Sequence, residues 1–191
     1  MHVPYITTWS EERPLPATVI ERPGFGIGYA DETLGDRDEN GVLWQRMPSR
    51  PGQGRPQFGK VHPLRQRRAM RRQLCGVCGG PPDRTEAGVL WLVRDYRDDW
   101  PGWPNGMAAT EPPVCLPCAR LAVRACPALR KGHAAIRVGH STVAGVYGIR
   151  HRPGEAGEDT IVALDDPDIR WTRAAQLVRE LRGCTIVSLN P

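Results

Sequence analysis

Four cysteines, arranged as two Cys-x-x-Cys pairs, are the residues of this 191-residue sequence best suited to chemistry. Cys75 and Cys78 form the first pair, and Cys115 and Cys118 form the second. Each pair supplies two thiolates a short turn apart, and a tetrahedral Zn²⁺ ion takes four such soft ligands. The spacing therefore predicts one structural zinc site built by these four cysteines.

The residues that follow each pair fit this interpretation. Gly79 and Gly80 come directly after the first pair, and glycine lets backbone N–H groups turn towards the thiolates, as in a zinc knuckle. The second pair opens an apolar run that predicts a helix from Leu116 to Ala125. Thiolates in the first turn of a helix are favoured by the positive end of its dipole.

The elements around the cysteines can be predicted from periodicity. The segment from Gly88 to Tyr96 predicts a strand, and Asn105 to Thr110 is its expected hairpin partner. A helix is predicted from Leu64 to Leu74, with Pro63 at its first turn. Knuckle, hairpin and helix follow one another in the order of a treble-clef zinc finger. The predicted fold class is therefore α+β, with a treble-clef module at residues 61–132.

The flanking segments complete the predicted organisation. Residues 1–60 are expected to be rich in β-strands, with a hairpin at 17–30 and an irregular Pro/Gly/Arg linker at 47–60. Residues 133–191 predict a ββαβ unit whose helix contains Trp171, Ala174, Val178 and Leu181 at helical spacing. The three segments are expected to pack as one compact domain. Trp100 and Trp103 either cover the core or form an exposed recognition loop, and we favour the first interpretation.

Charge is distributed unevenly along the chain. The net charge is +5, but residues 41–82 hold nine basic and no acidic residues, whereas residues 1–40 are acidic. This pattern predicts an anionic partner, with DNA ahead of RNA, or an acidic protein. The alternative is that the acidic segment folds over the basic one. The predicted nucleic-acid contacts are Lys60, Arg65, Arg67, Arg68, Arg71 and Arg72.

The order of knuckle, hairpin and helix resembles the treble-clef core of the HNH nucleases, some of which hold it with a four-cysteine zinc site. The resemblance covers roughly residues 65–130. In that family a histidine on the hairpin activates water, but no histidine lies between Gly79 and Val114 here, so no general base is assigned. The Cys118-Ala119 and Cys126-Pro127 pairs also resemble those of zinc-motif proteins from actinobacteria and their phages.

Three functions follow from the sequence. The first is a non-enzymatic nucleic-acid-binding protein stabilised by structural Zn²⁺, and the second is an adaptor or inhibitor that docks a protein through the basic surface or the tryptophan loop. The third is a divergent HNH-like nuclease. Six cysteines at metal-type spacing and an N-terminus without an apolar signal segment predict a cytoplasmic location, and no stretch has the length of a membrane span.

Overall fold

The computed structural model of the chain describes residues 2–152 and 154–189 and contains both helices and strands, which confirms a mixed α+β class. The helices of this described part are α1 (Pro63–Arg72), α2 (Leu116–Ala125) and α3 (Pro127–Arg130). Its strands are β1 (Thr7–Trp9), β2 (Val19–Arg22), β3 (Gly26–Tyr29), β4 (Leu43–Trp44), β5 (Pro56–Val61), β6 (Arg84–Thr85), β7 (Gly88–Arg94), β8 (Met107–Ala109), β9 (His133–Arg150), β10 (Glu158–Ala163) and β11 (Thr172–Val187).

The chain divides into two compact units that interleave along the sequence. Among the described residues, the first comprises 2–6, 65–143 and 179–189, and we call it the cysteine unit. The second comprises 7–64, 144–152 and 154–178. The long strands β9 and β11 each contribute one part to each unit. This division differs from the three consecutive segments predicted from the sequence. No helix in the described residues is long and apolar enough to cross a membrane.

The sheet of the cysteine unit is organised around β7. This strand pairs antiparallel with β9, Trp91 opposite Ile136, and with the short strand β6. Its side chains alternate between two clusters: Trp91 packs with Ile136 and Leu181 on one face, and Leu90 and Leu92 pack towards α2 on the other. Burial on both faces explains why β7 is a continuous apolar run in the sequence.

The second unit is built from short sheets and the remaining parts of β9 and β11. β10 pairs antiparallel with the end of β9, Val162 opposite Val146, and β4 pairs parallel with the start of β11. β1 pairs with β5, and β2 pairs with β3. The hairpin predicted at 17–30 is therefore present. The linker at 47–60 is predicted to be irregular throughout, but its last residues form part of a strand. This strand is β5 (Pro56–Val61), which pairs with β1.

Two further predictions about secondary structure are wrong. The helix expected in the C-terminal ββαβ unit is replaced by β11, which extends from Thr172 to Val187. Its apolar residues happen to recur at helical spacing, but neighbouring strands supply its backbone hydrogen bonds, and local periodicity does not report them. The segment 105–110 also does not pair with β7, because β8 pairs with β11, Ala109 opposite Arg179. The hairpin after the knuckle is formed by β6 and β7.

The tryptophan loop divides between core and surface. Trp103 is only 8% exposed and belongs to the cluster that contains Trp91, whereas Trp100 is 37% exposed. The loop thus places one of its tryptophans in the core of the cysteine unit and leaves the other at the surface.

Acidic residues near the N-terminus bind arginines within the second unit. Arg46 forms a salt bridge of 2.7 Å with Asp36 and one of 2.9 Å with Asp31, and Arg37 forms one of 2.7 Å with Glu32. Hydrogen bonds from Arg46, followed by those from Thr33, hold the pKa of the Asp36 carboxyl well below its usual range. The Asp36 side chain is 8% exposed, whereas that of Asp31 is 73% exposed.

Replacement of Asp36 by asparagine is expected to lower the free energy of unfolding by about 2–3 kcal/mol, because charge-assisted hydrogen bonds in a buried position are lost. Since the folded-state pKa is lowered, this contribution is complete above pH ~5 and is lost progressively as the pH falls below the unfolded-state pKa of about 3.9. Urea unfolding at about pH 7 and about pH 3 measures both effects. Asp31→Asn is the matched control, with an expected loss below ~1 kcal/mol because Asp31 is exposed. Equal losses of stability for the two variants would contradict a special contribution of the buried Asp36 carboxylate.

Candidate metal centre

The four predicted cysteines converge in the cysteine unit. Their Sγ atoms all lie within 4.8 Å of one another, and those of Cys78 and Cys115 are 3.9 Å apart. A tetrahedral ion with metal–sulfur bonds of about 2.3 Å holds its sulfurs ~3.8 Å apart, so the cluster has the dimensions of a metal site. A set of four thiols leaves no open coordination position, which is typical of a structural rather than a catalytic metal.

The first pair lies in the turn that follows α1. The Gly79 N–H donates to the Cys75 carbonyl at 2.8 Å, and the Cys75 N–H donates to the Gly80 carbonyl at 2.8 Å. Gly79 has φ = +74°, a left-handed conformation that other residues adopt only with strain. Glycine therefore suits position 79, and the Gly80 N–H hydrogen-bonds to the Cys78 thiol, in the manner that the sequence predicts for a zinc knuckle.

The second pair lies at the start of α2. Cys115 is the N-cap residue, and its carbonyl accepts from the Ala119 N–H at 2.9 Å. Pro117 occupies the first turn, where its fixed φ suits a helix and its missing N–H costs no hydrogen bond. Cys118 follows in the same turn and is buried. The start of the helix therefore places both thiols beside the positive end of its dipole.

The thiols of the cluster have unequal electrostatic surroundings. Burial raises the pKa of the Cys75 thiol, and burial together with a hydrogen bond to Cys115 raises the pKa of Cys118 further. Burial also raises the pKa of Cys78, but hydrogen bonds from the Gly80 amide and the neighbouring thiols outweigh it and lower the pKa overall. Buried thiolates need a cation to compensate their charge, and a soft divalent metal supplies it.

Residues near the N-terminus tie the knuckle to α1. The Tyr5 N–H donates to the Val77 carbonyl at 2.8 Å, and the Tyr5 carbonyl accepts from Arg65 Nε at 2.8 Å. The Tyr5 hydroxyl accepts from Arg68 at 3.2 Å, and the Tyr5 ring lies against Gly79. Nothing in the local sequence marks Tyr5 for this role, because the contact joins residues that are distant in the chain.

A second residue that the sequence does not mark is Arg179 on β11. It is only 8% exposed, and it donates from Nε to the Met70 carbonyl at 3.1 Å and from Nη1 to the Ser141 carbonyl at 2.8 Å. Met70 lies in the last turn of α1, where backbone carbonyls have no partner within the helix. Arg179 therefore anchors the end of α1 immediately before Cys75.

The predicted nucleic-acid contacts do not share one environment. Arg65 was predicted to contact phosphate, but it is only 5% exposed and its Nε donates to the Tyr5 carbonyl. Arg67 is half-buried, and both Arg67 and Arg71 have interaction partners within the protein. Arg68 and Arg72 are exposed on α1, and Lys60 is exposed on β5 in the second unit. His62, which directly precedes α1, is buried, and its Nε2 lies 3.0 Å from the Pro48 carbonyl.

No family model, curated protein or solved structure matches this chain. The site must therefore be interpreted from its own geometry. That geometry supports a four-cysteine metal centre whose first pair is joined to an arginine-bearing helix.

Proposed function

We propose that the chain is a zinc-stabilised protein that binds nucleic acid through the exposed arginines of α1 and carries out no catalytic step. The observation that carries the proposal is the position of Arg68 and Arg72 on the helix that ends at the metal cluster. α1 ends at Arg72, and the first ligand, Cys75, follows it closely. Binding of the ion would fix the knuckle and, through Tyr5, the helix that bears these arginines.

Zinc is the metal we assign to the cluster. Four thiolates at tetrahedral spacing are the ligand set of many structural zinc sites, and a closed set leaves no position for an activated water. The HNH resemblance contributes the same ligand set, but this chain has no histidine in the segment where that family places its general base. The proposal is therefore limited to binding.

Nucleic acid is the partner we assign to α1. Arginine contacts to phosphate supply most of the sequence-independent affinity of nucleic-acid-binding proteins. α1 has ten residues, among them five arginines, and it has no acidic residue in its first turn. DNA is favoured over duplex RNA because the B-form major groove admits a helix, whereas the A-form major groove is deep and narrow.

The proposal is tested by fluorescence anisotropy with labelled duplex DNA, single-stranded DNA and duplex RNA, between about 50 and 200 mM salt. We expect binding to duplex DNA that weakens steeply as salt rises, with weaker binding to duplex RNA. Undetectable binding to every probe at low salt would contradict nucleic-acid binding. That outcome would favour the alternative that the same surface docks an acidic protein.

A further inference from the structure

A cleft of about 540 Å³ lies in the cysteine unit, and its lining residues are different from those assigned above. It is bounded by α2, by the start of β9 and by the end of β11 with the residues that follow it. The volume falls within the range of about 300–1,000 Å³ that is usual for small-molecule sites. Within residues 2–152 and 154–189, the side chains that line it include no carboxylate.

The rim of this cleft is cationic. Arg120 and Arg124 are four residues apart and therefore lie on the same face of α2. Arg120 is held in place because its Nε donates to the Leu189 carbonyl at 2.9 Å. Arg124 is exposed and adds a second guanidinium to the rim.

His133, at the start of β9, adds an imidazole ring to the two guanidinium groups that line the cleft. Its Nδ1 lies 3.0 Å from the Leu129 carbonyl, which can only accept, so we assign the proton of the neutral ring to Nδ1. Nε2 is thereby left as an acceptor, which suits an N–H or O–H group of a ligand rather than a phosphate oxygen. Arg97 also lines the cleft, but its charge is compensated by a salt bridge of 2.7 Å to Asp95.

The floor of the cleft is apolar. Val123 from α2, Ala135 from β9 and Val187 from β11 line it, and they pack in the same cluster. Such a floor gives no hydrogen bonds, and it suits a flat apolar ring rather than a hydrated ion. A ligand that matches both surfaces therefore combines a compact anion with an apolar body.

We propose that this cleft binds a small organic phosphate, a phosphate monoester attached to a ring, with Arg120 and Arg124 on the phosphate and His133 Nε2 as a hydrogen-bond acceptor for the rest of the molecule. Two guanidinium groups match a dianion, because each can donate more than one hydrogen bond to its oxygens. The volume holds one nucleotide-sized molecule rather than a polymer. The site is separate from α1 and does not depend on the function proposed for that helix.

Isothermal titration calorimetry with adenosine monophosphate, adenosine and inorganic phosphate tests the proposal. We expect adenosine monophosphate to bind at least ~10-fold more tightly than either adenosine or inorganic phosphate. Adenosine lacks the phosphate that the arginines bind, and inorganic phosphate lacks the ring that the apolar floor accommodates. Arg124→Gln should weaken adenosine monophosphate binding by about 10-fold or more and leave adenosine unchanged. Arg124→Lys should retain part of the affinity.

Arg170→Gln is the matched control, since Arg170 is an exposed arginine of the second unit. It should leave every affinity unchanged. Equal affinities for adenosine monophosphate and adenosine, or an Arg124→Gln protein with unchanged affinity, would overturn the proposal. So would the absence of heat with adenosine monophosphate at low salt. If Arg124→Gln weakens duplex DNA binding as much as changes in α1 do, the cleft belongs to a polymer surface and the proposal fails.

Discussion

Replacement of Cys75 by serine is expected to abolish stoichiometric metal binding and to lower the free energy of unfolding by several kcal/mol. The apparent binding free energy of structural Zn²⁺ is about 10–16 kcal/mol, and in such sites it is folding free energy. Cys75 is fully buried, so the variant also places a hydroxyl among the remaining thiols. Elemental analysis and urea unfolding measure the two effects.

Cys126→Ser is the matched control, because Cys126 is a half-buried cysteine near the end of α2 that lies outside the four-cysteine cluster. It should keep one zinc ion per chain and lose far less stability. A chelator added to the unaltered protein should reproduce the instability of Cys75→Ser, and added Zn²⁺ should reverse it. Purified protein without stoichiometric zinc, or a Cys75→Ser protein of undiminished zinc content, would rule out the site.

The four-cysteine cluster could be predicted because its signal is local. Each cysteine pair occupies four residues, the glycines that the knuckle needs follow the first pair directly, and Pro117 lies in the first turn of α2. The helices α1 and α2 and the strand β7 were likewise predicted close to their observed bounds, because each carries its own periodicity or its own breaker residues.

The features that the sequence did not predict depend on contacts between distant residues. β11 was taken for a helix because Ala174, Val178 and Leu181 recur at helical spacing, but its neighbours in the sheet, not its own sequence, decide its conformation. Arg65 was predicted to contact phosphate because it lies in an arginine-rich helix, whereas it is 5% exposed and hydrogen-bonds to Tyr5, which is distant in the sequence. The cleft beside α2 is formed by three separate segments, so no motif marks it.

The proposed role of α1 predicts a large effect of two arginines on DNA binding. Changing both Arg68 and Arg72 to alanine should remove about two phosphate contacts. The slope of log affinity against log salt should then flatten by about one unit per contact, or roughly two units in all. Affinity at low salt should fall by roughly tenfold or more per contact, since a hydrogen bond to a charged group contributes ~1.5–3 kcal/mol. Zinc content should not change, because neither residue is a ligand.

Arg130 and Arg170 are the matched pair of exposed arginines for this experiment, and their double replacement by alanine removes the same charge. If that control flattens the slope as much as the change on α1, then DNA responds only to net charge and α1 is not the binding surface. If the change at Arg68 and Arg72 instead lowers the stability in urea and leaves the salt slope unaltered, then these arginines serve folding rather than DNA binding. Arg68 donates to Tyr5, so Arg72→Ala alone separates the two effects. It should flatten the slope by about one unit with stability unchanged.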